Sequence, residues 1–325
     1  MESLWKIFYK LATMVCGMVV LCASRAAFAC TADEIDVLGD GTQCEIAKFI
    51  VNTINLTAVN GNNGLFYFQM SVAGTFYVDC GVGGILQTGD GTDITNNTIL
   101  HADATNVVYR CKYSTTGSKT IKFGGVADTG SPYNTNNTTF SFYNSNASYR
   151  TPNKIASVDG SLGALFPQRG NENGQFPRFY QTFYFATNLR SIPSGLFSGL
   201  TGGNSMFYAT FQSCVSLEQI PYGLFDSINI GAEYLFGSTF QNCTSLLNIP
   251  SGLFSNITTG ANGMFQYTFY QCTSLRLIPG DLFSNITTVA QSMFNGTFSD
   301  CTNLGGYIPP TAFAGLINAG HPKVG

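Results

Sequence analysis

Three stretches in the second half of the chain repeat almost letter for letter: TFQSCVSLEQIPYGLF (residues 210–225), TFQNCTSLLNIPSGLF (residues 239–254) and TFYQCTSLRLIPGDLF (residues 268–283). Their cysteines and the later Cys301 are evenly spaced, with a 29-residue period. A fixed period of this size indicates an array of supersecondary units, because one unit alone cannot bury its own apolar face. The sequence therefore predicts about five stacked copies over residues 176–320.

Within one copy, the apolar residues predict a short helix, a short strand and a turn. Phe207, Phe211 and Cys214 have the spacing of one helix face. Residues 217–220 are expected to form the strand, which Pro221 ends because proline cannot donate the next backbone hydrogen bond. The residues predicted to form the shared core are Phe207, Phe211, Cys214, Leu217, Ile220, Phe240, Cys243, Cys272 and Cys301.

The repeated unit TF-x-x-C-T-S-L-x-x-IP-x-G-LF resembles the leucine-rich repeats of BspA-type bacterial surface and secreted proteins. This resemblance implies an α/β leucine-rich repeat solenoid over 176–320, built from copies with the 29-residue period. It also implies binding to host proteins, matrix or other cells. Residues 151–175 are expected to form a connector with a half repeat that caps the array, and residues 321–325 a tail.

Residues 47–150 are expected to form a separate β-sandwich. Their short runs of β-branched and aromatic residues, bounded by glycine and asparagine, are typical of antiparallel strands. The stretches GTFYVDCGVGG (residues 74–84) and YRCKYSTTGSKTIKFGG (residues 109–125) resemble the PKD-type fold. Val82 departs from that family, which usually has an acidic residue in this glycine turn. The predicted architecture is a PKD-like β-sandwich followed by the repeat solenoid.

The first residues of the chain have the features of a secretory signal peptide. Two lysines precede an apolar run at residues 11–23, and Ala27 and Ala29 offer small side chains for cleavage before Cys30. The run is shorter than the roughly 20 apolar residues that span a bilayer. Residues 1–29 are therefore expected to be removed from an exported protein, extracellular, surface-bound or periplasmic, with no transmembrane segment in the mature chain. An uncleaved anchor and a lipid-modified Cys30 are the alternatives.

Eight cysteines follow the predicted signal peptide, in a compartment where disulfides persist. Cys30 and Cys44 flank a turn in the N-terminal segment, residues 30–46, while Cys80 and Cys111 lie in two predicted strands. The predicted disulfides are Cys30–Cys44 and Cys80–Cys111. The four repeat cysteines are expected to stay free, because parallel side chains on stacked rungs hold their Cβ atoms too far apart for an unstrained bond. Bridged repeat cysteines are the alternative.

Composition and motifs argue against several function classes. Charged residues make up 10% of the chain, with 15 basic and 18 acidic residues, so no basic footprint for nucleic acid is present. Two histidines, His101 and His321, cannot supply a zinc site that needs several imidazoles. Asp90 and Asp93 offer too few oxygen ligands for an EF-type calcium loop. We expect no enzymatic activity, no cofactor and no metal.

In a repeat array, recognition falls to positions that vary between copies and face outward. The predicted binding strip consists of Arg190, Ser191, Glu218, Gln219, Leu247, Asn248, Arg276 and Leu277. Such a surface suits a protein or glycan better than a small substrate. The predicted function is that of a secreted or surface-associated, adhesin-like interaction protein for host or neighbouring-cell proteins, matrix or glycans. A structural or envelope protein without a dedicated ligand and an accessory carbohydrate-binding protein are the alternatives.

Overall fold

The computed structural model describes residues 30–56, 64–305 and 308–320. The predicted signal peptide, His321 and the predicted tail lie outside the described residues. Within the described ranges, no helix has the length and apolar character needed to cross a membrane.

Regular secondary structure in the described part of the chain is almost entirely β. The strands are β1 (Glu34–Asp36), β2 (Cys44–Ile46), β3 (Phe49–Thr53), β4 (Leu65–Met70), β5 (Gly74–Asp79), β6 (Gly84–Thr88), β7 (Thr98–His101), β8 (Val107–Tyr113), β9 (Thr120–Ala127), β10 (Phe140–Ser141) and β11 (Ile155–Gly160). The helices are α1 (Leu162–Leu165) and α2 (Ala314–Asn318), with 3-10 turns at Thr95–Asn97, Ala147–Tyr149, Pro152–Lys154 and Pro310–Phe313.

These strands form three antiparallel sheets. One pairs β1 with β2, the second has the order β10-β4-β8-β6, and the third has the order β11-β3-β9-β5-β7. Burial alternates along β3 and β5, as expected for strands with one face on the core. Phe68 of β4 meets Phe123 of β9 edge to face at 5.1 Å, so aromatic side chains fill the space between the two larger sheets.

The five-stranded sheet recruits β11 from beyond residue 150. β11 pairs with β3 from Ile155↔Thr53 to Gly160↔Phe49, which makes it an edge strand of that sheet. The first copy contains the stretch TFYFATNLRSIPSGLF (residues 182–197). Phe142 contacts Phe183 of this copy at 5.6 Å, and one hydrophobic core runs from the sheets into the repeats. The prediction of a PKD-like β-sandwich over residues 47–150 is therefore corrected to three antiparallel sheets, one of which needs a later segment.

In the repeat segment, successive backbone N–H groups alternate between two kinds of acceptor. Phe207 donates to the carbonyl of Leu235 in the next copy, at 3.0 Å. The following residue, Tyr208, donates to the carbonyl of Ser205 in its own turn, at 3.2 Å. This alternation continues through Ser213, so every second N–H closes a local turn and the others bond the next copy.

Left-handed residues recur every fourth position in the same segment. Ser205, Ala209 and Ser213 have φ values of 55°, 55° and 62°. An α-helix needs right-handed dihedrals at every residue and a donor bonded to the carbonyl one full turn back. A left-handed residue at each fourth position therefore breaks the segment into consecutive turns.

The predicted α/β leucine-rich repeat solenoid of BspA type is therefore wrong. Residues 176–305 contain no helix, and the predicted strand at residues 217–220 is reduced to an isolated bridge at Gln219. The spacing of Phe207, Phe211 and Cys214 misled the prediction, because turns that recur at every fourth residue place side chains on one side just as a helix does.

The copies nevertheless lie side by side through ladders of parallel aromatic rings. One ladder has neighbouring ring centroids 5.2 to 5.6 Å apart and consists of Phe183, Phe211, Phe240, Phe269 and Phe298. Threonine hydroxyls add a second repeated contact: Thr239 Oγ1, for example, donates to the carbonyl of Phe207 at 2.8 Å. These contacts explain why the 29-residue period is kept from Phe211 to Phe298, because each ring meets its equivalent in the next copy.

Candidate binding surface

Both predicted disulfide pairs are present in the structure. Cys30 and Cys44 are bonded with a Cα–Cα distance of 5.6 Å, as are Cys80 and Cys111. Cys80 follows β5 of the five-stranded sheet and Cys111 lies in β8 of the four-stranded sheet. The second disulfide therefore links the two larger sheets across the core.

The four repeat cysteines are free and buried. Each thiol donates to the carbonyl of the phenylalanine in the preceding copy, as Cys243 Sγ does to Phe211 at 3.2 Å. Burial raises the pKa of the Cys214 and Cys243 thiols well above the usual value and raises that of Cys301 to about 11. Protonated thiols in the core are poor nucleophiles, since the thiolate is the reactive form.

The predicted core residues and the predicted strip residues separate cleanly by burial. Phe207, Phe211, Cys214, Leu217, Ile220, Phe240, Cys243, Cys272 and Cys301 are all buried, with Cys301 the most exposed at 9%. In the strip only Leu247 is half-buried, and the exposed residues are Arg190, Ser191, Glu218, Gln219, Asn248, Arg276 and Leu277.

Parallel backbone bridges link the strip residues of three successive copies. Gln219 pairs with Asn248, and Asn248 pairs with Leu277. The Leu247 N–H also donates to the carbonyl of Glu218 at 3.1 Å. At the other end Ser191 pairs with Ser157 of β11, so the strip begins at the edge of the five-stranded sheet.

A cleft that the sequence did not predict lies where the four-stranded sheet meets the first copy. It has a volume of about 210 Å³ and is lined by Gln69, Asn106, Asn136, Asn137, Thr138, Ser141, Tyr143, Asn144, Ser145, Tyr180 and Gln181. We call it the amide cleft. Its only signal in the sequence is the asparagine-rich stretch NTNNTTFSFYNSN at residues 134–146, because the other lining residues come from remote segments.

The aspartates considered as calcium ligands are used within a turn. Asp90 Oδ1 accepts hydrogen bonds from the Thr88 hydroxyl and the Thr92 N–H, and the Thr88 bond is the main cause of its lowered pKa. Asp93 Oδ1 accepts from Gln87 Nε2 at 2.6 Å. These bonds give both carboxylates a structural part in the loop that follows β6.

The described residues contain one further group of metal-ligating side chains and one buried histidine, whose Nε2 has no hydrogen-bond partner. Cys30, Glu34 and Cys44 lie close together, but the two cysteines are bonded to each other and have no thiolate to offer. His101 is buried, and its Nδ1 lies 2.8 Å from the carbonyl oxygen of Asp103.

No family model matches the chain, and no curated protein or solved structure matches it either. The resemblances to BspA-type repeats and to the PKD-type fold are therefore wrong as family assignments. The described residues form an all-β structure of three antiparallel sheets with two disulfides, and the sequence adds a segment with a 29-residue period.

Proposed function

We propose that this chain is an exported, non-enzymatic interaction protein that binds a partner protein or matrix component along the strip defined above. The observation that carries the proposal is the separation of core and surface positions within each copy. The apolar positions that recur between copies are buried, whereas the strip positions differ from copy to copy and all but one are exposed. A surface freed from packing constraints can vary its chemistry without loss of stability.

The chemistry of the strip fits an extended partner. The strip crosses four copies, and Arg190, Glu218 and Arg276 put charges of both signs on three of them. Leu277 adds an apolar side chain that is 70% exposed. Charged groups at the rim of an interface favour the correct partner and increase the association rate, while exposed apolar area contributes affinity. The two disulfides support the exported part of the proposal, since disulfides persist in oxidising compartments.

Reversal of the strip's charges tests the proposal. The triple variant Arg190→Glu, Glu218→Lys, Arg276→Glu changes three exposed residues and lowers the net charge by two. A matched control, Lys112→Glu on exposed Lys112 of β8, lowers the net charge equally away from the strip.

Binding of both variants to immobilised matrix proteins and to cultured cells would be compared with the parent chain. The proposal expects about tenfold weaker binding for the triple variant and parent-like binding for the control. Equal binding by all three proteins, with unchanged thermal unfolding, would contradict it.

A further inference from the structure

We propose that the amide cleft is a binding site for an uncharged saccharide, with Tyr180 and Tyr143 as its aromatic walls. This site is separate from the strip, so it can stand if the strip has no partner. The cleft is smaller than the pockets of about 300–1,000 Å³ that enclose drug-sized ligands. Its size, about 210 Å³, suits one sugar ring of a longer glycan.

The lining has the polarity of a sugar and none of the charge of an ionic ligand. Six of its eleven residues carry side-chain amides, and three more carry aliphatic hydroxyls. An amide offers both donors and acceptors, which is what neighbouring sugar hydroxyls require. None of the described residues that line the cleft carries a carboxylate, ammonium, guanidinium or imidazole group, so a charged ligand would be desolvated there without a counter-ion.

Three of the amides are held in place by one another. Gln69 Oε1 accepts hydrogen bonds from Asn106 Nδ2 at 3.1 Å and from Asn144 Nδ2 at 2.6 Å. Gln69 Nε2 donates to the carbonyl of Tyr143 at 2.9 Å. Because Gln69 belongs to the buried strand β4, this network fixes the cleft floor before a ligand arrives. Such preorganisation lowers the entropy cost of binding.

Two further amides at the rim have backbones that are fixed and side chains that are free. The N–H groups of Asn136 and Asn137 both donate to Asn134 Oδ1, at 2.8 and 3.0 Å. Neither side-chain amide has a hydrogen-bond partner among the described residues, and both side chains are exposed. They can therefore bond a ligand without breaking an existing contact.

The aromatic walls are braced from behind. Tyr180, 38% exposed, stacks on Tyr208 with ring centroids 5.4 Å apart and an interplanar angle of 18°. Tyr143 meets the ring of Tyr184 edge to face at 4.7 Å. A rigid aromatic surface that keeps a polar edge in water can pack against the apolar C–H face of a sugar while its hydroxyls bond the amides.

The nearby guanidinium groups do not change the preference for a neutral ligand. Arg150 lies over the Tyr143 ring at 4.8 Å and donates to the carbonyls of Asn144 and Ser145. Arg178 donates to the carbonyl of Thr135. Both guanidinium groups are hydrogen-bonded to backbone carbonyls near the cleft, and neither group lines it.

The test uses the purified full chain on an array of neutral, sialylated and sulfated oligosaccharides, followed by calorimetric titration with the best neutral member. We expect binding to neutral glycans and loss of binding when acidic sugars replace them. Tyr180→Ala and Asn137→Ala should each weaken binding about tenfold. The matched controls are Tyr222→Ala and Asn229→Ala, both exposed and outside the cleft lining, which should bind like the parent.

Thermal unfolding of each variant separates loss of binding from loss of fold. The proposal is overturned if no neutral glycan binds, if acidic glycans are preferred, or if the cleft variants bind as well as their controls. The strip triple variant should retain full saccharide binding, and this result would distinguish the cleft from the strip even if the proposed partner of the strip were never found.

Discussion

The ring of Tyr208 lies against Gly237 in the next copy, where a Cβ atom would come within 2.8 Å of Tyr208 Cδ2. Tyr234 contacts Gly263 and Tyr267 contacts Gly296 in the same way, each from one copy to the next. Each glycine thus makes room for a tyrosine from the copy before. Real Cβ atoms essentially never come this close to another heavy atom, so a larger residue at position 237 must displace the ring.

Gly237→Ala is therefore expected to lower the free energy of unfolding by about 1–3 kcal/mol, the usual cost of overpacking a filled site. Gly195→Ala serves as the control, because nothing lies within 4 Å of its added Cβ. Urea unfolding measures both. Adding Tyr208→Ala to Gly237→Ala should restore part of the lost stability; a double variant less stable than the sum of its single changes would refute the steric explanation.

Phe240→Ala should be among the most damaging substitutions in the repeats. Phe240 is fully buried and stacks on Phe211 at 5.4 Å and on Phe269 at 5.6 Å. Removal of a buried phenylalanine costs about 3–5 kcal/mol. The adjacent Gln241→Ala should change stability by no more than about 0.5 kcal/mol, because its side chain is half-exposed. Similar urea midpoints for the two variants would show that Phe240 has been wrongly assigned to the core.

The Cys30–Cys44 disulfide and lipid modification of Cys30 are mutually exclusive, because both need the same sulfur atom. A lipid thioether on Cys30 Sγ would leave Cys44 without its partner. We expect N-terminal sequencing of the exported chain to begin Cys30-Thr31-Ala32, and intact mass to show two disulfides and four thiols that alkylate only after denaturation. A membrane-retained chain with five thiols would instead support lipid modification.

The buried thiols predict a loss of stability at alkaline pH. Burial raises the pKa of Cys243 above the value of about 8.5 that a thiol has in the unfolded chain. A group whose folded pKa is raised contributes fully below its unfolded pKa, and that contribution is lost as the pH rises towards the folded pKa. The free energy of unfolding should therefore fall above about pH 8.5, by at most about 1.4 kcal/mol per pH unit for each thiol.

Cys243→Ala tests this loss of stability at alkaline pH directly. The substitution fits the core, because the first copy already has an alanine, Ala186, at the equivalent buried position. Urea unfolding at pH 7 and pH 9.5 should show a smaller pH-dependent loss in this variant than in the parent chain. A parent chain as stable at pH 9.5 as at pH 7 would mean that the thiols are not buried in solution.

The amino-acid sequence alone is enough to establish the period, the buried positions and the cysteine pairs. A 29-residue period can persist only where each side chain meets its equivalent, so Phe211, Phe240 and Cys243 could be assigned to the core from their recurrence. Cys30–Cys44 and Cys80–Cys111 followed from their places around a turn and in two strands.

The backbone within each copy and the existence of the amide cleft depend on tertiary packing. The N–H group of Phe207 could donate within a helix or to the neighbouring copy, and the spacing of apolar residues is the same in both cases. It donates to the carbonyl of Leu235, which lies beside it only after the copies have packed together. The cleft joins Gln69, Asn106 and Tyr180, which are remote in the chain. No local pattern reports such a junction, because its geometry exists only once the sheets and the first copy share one core.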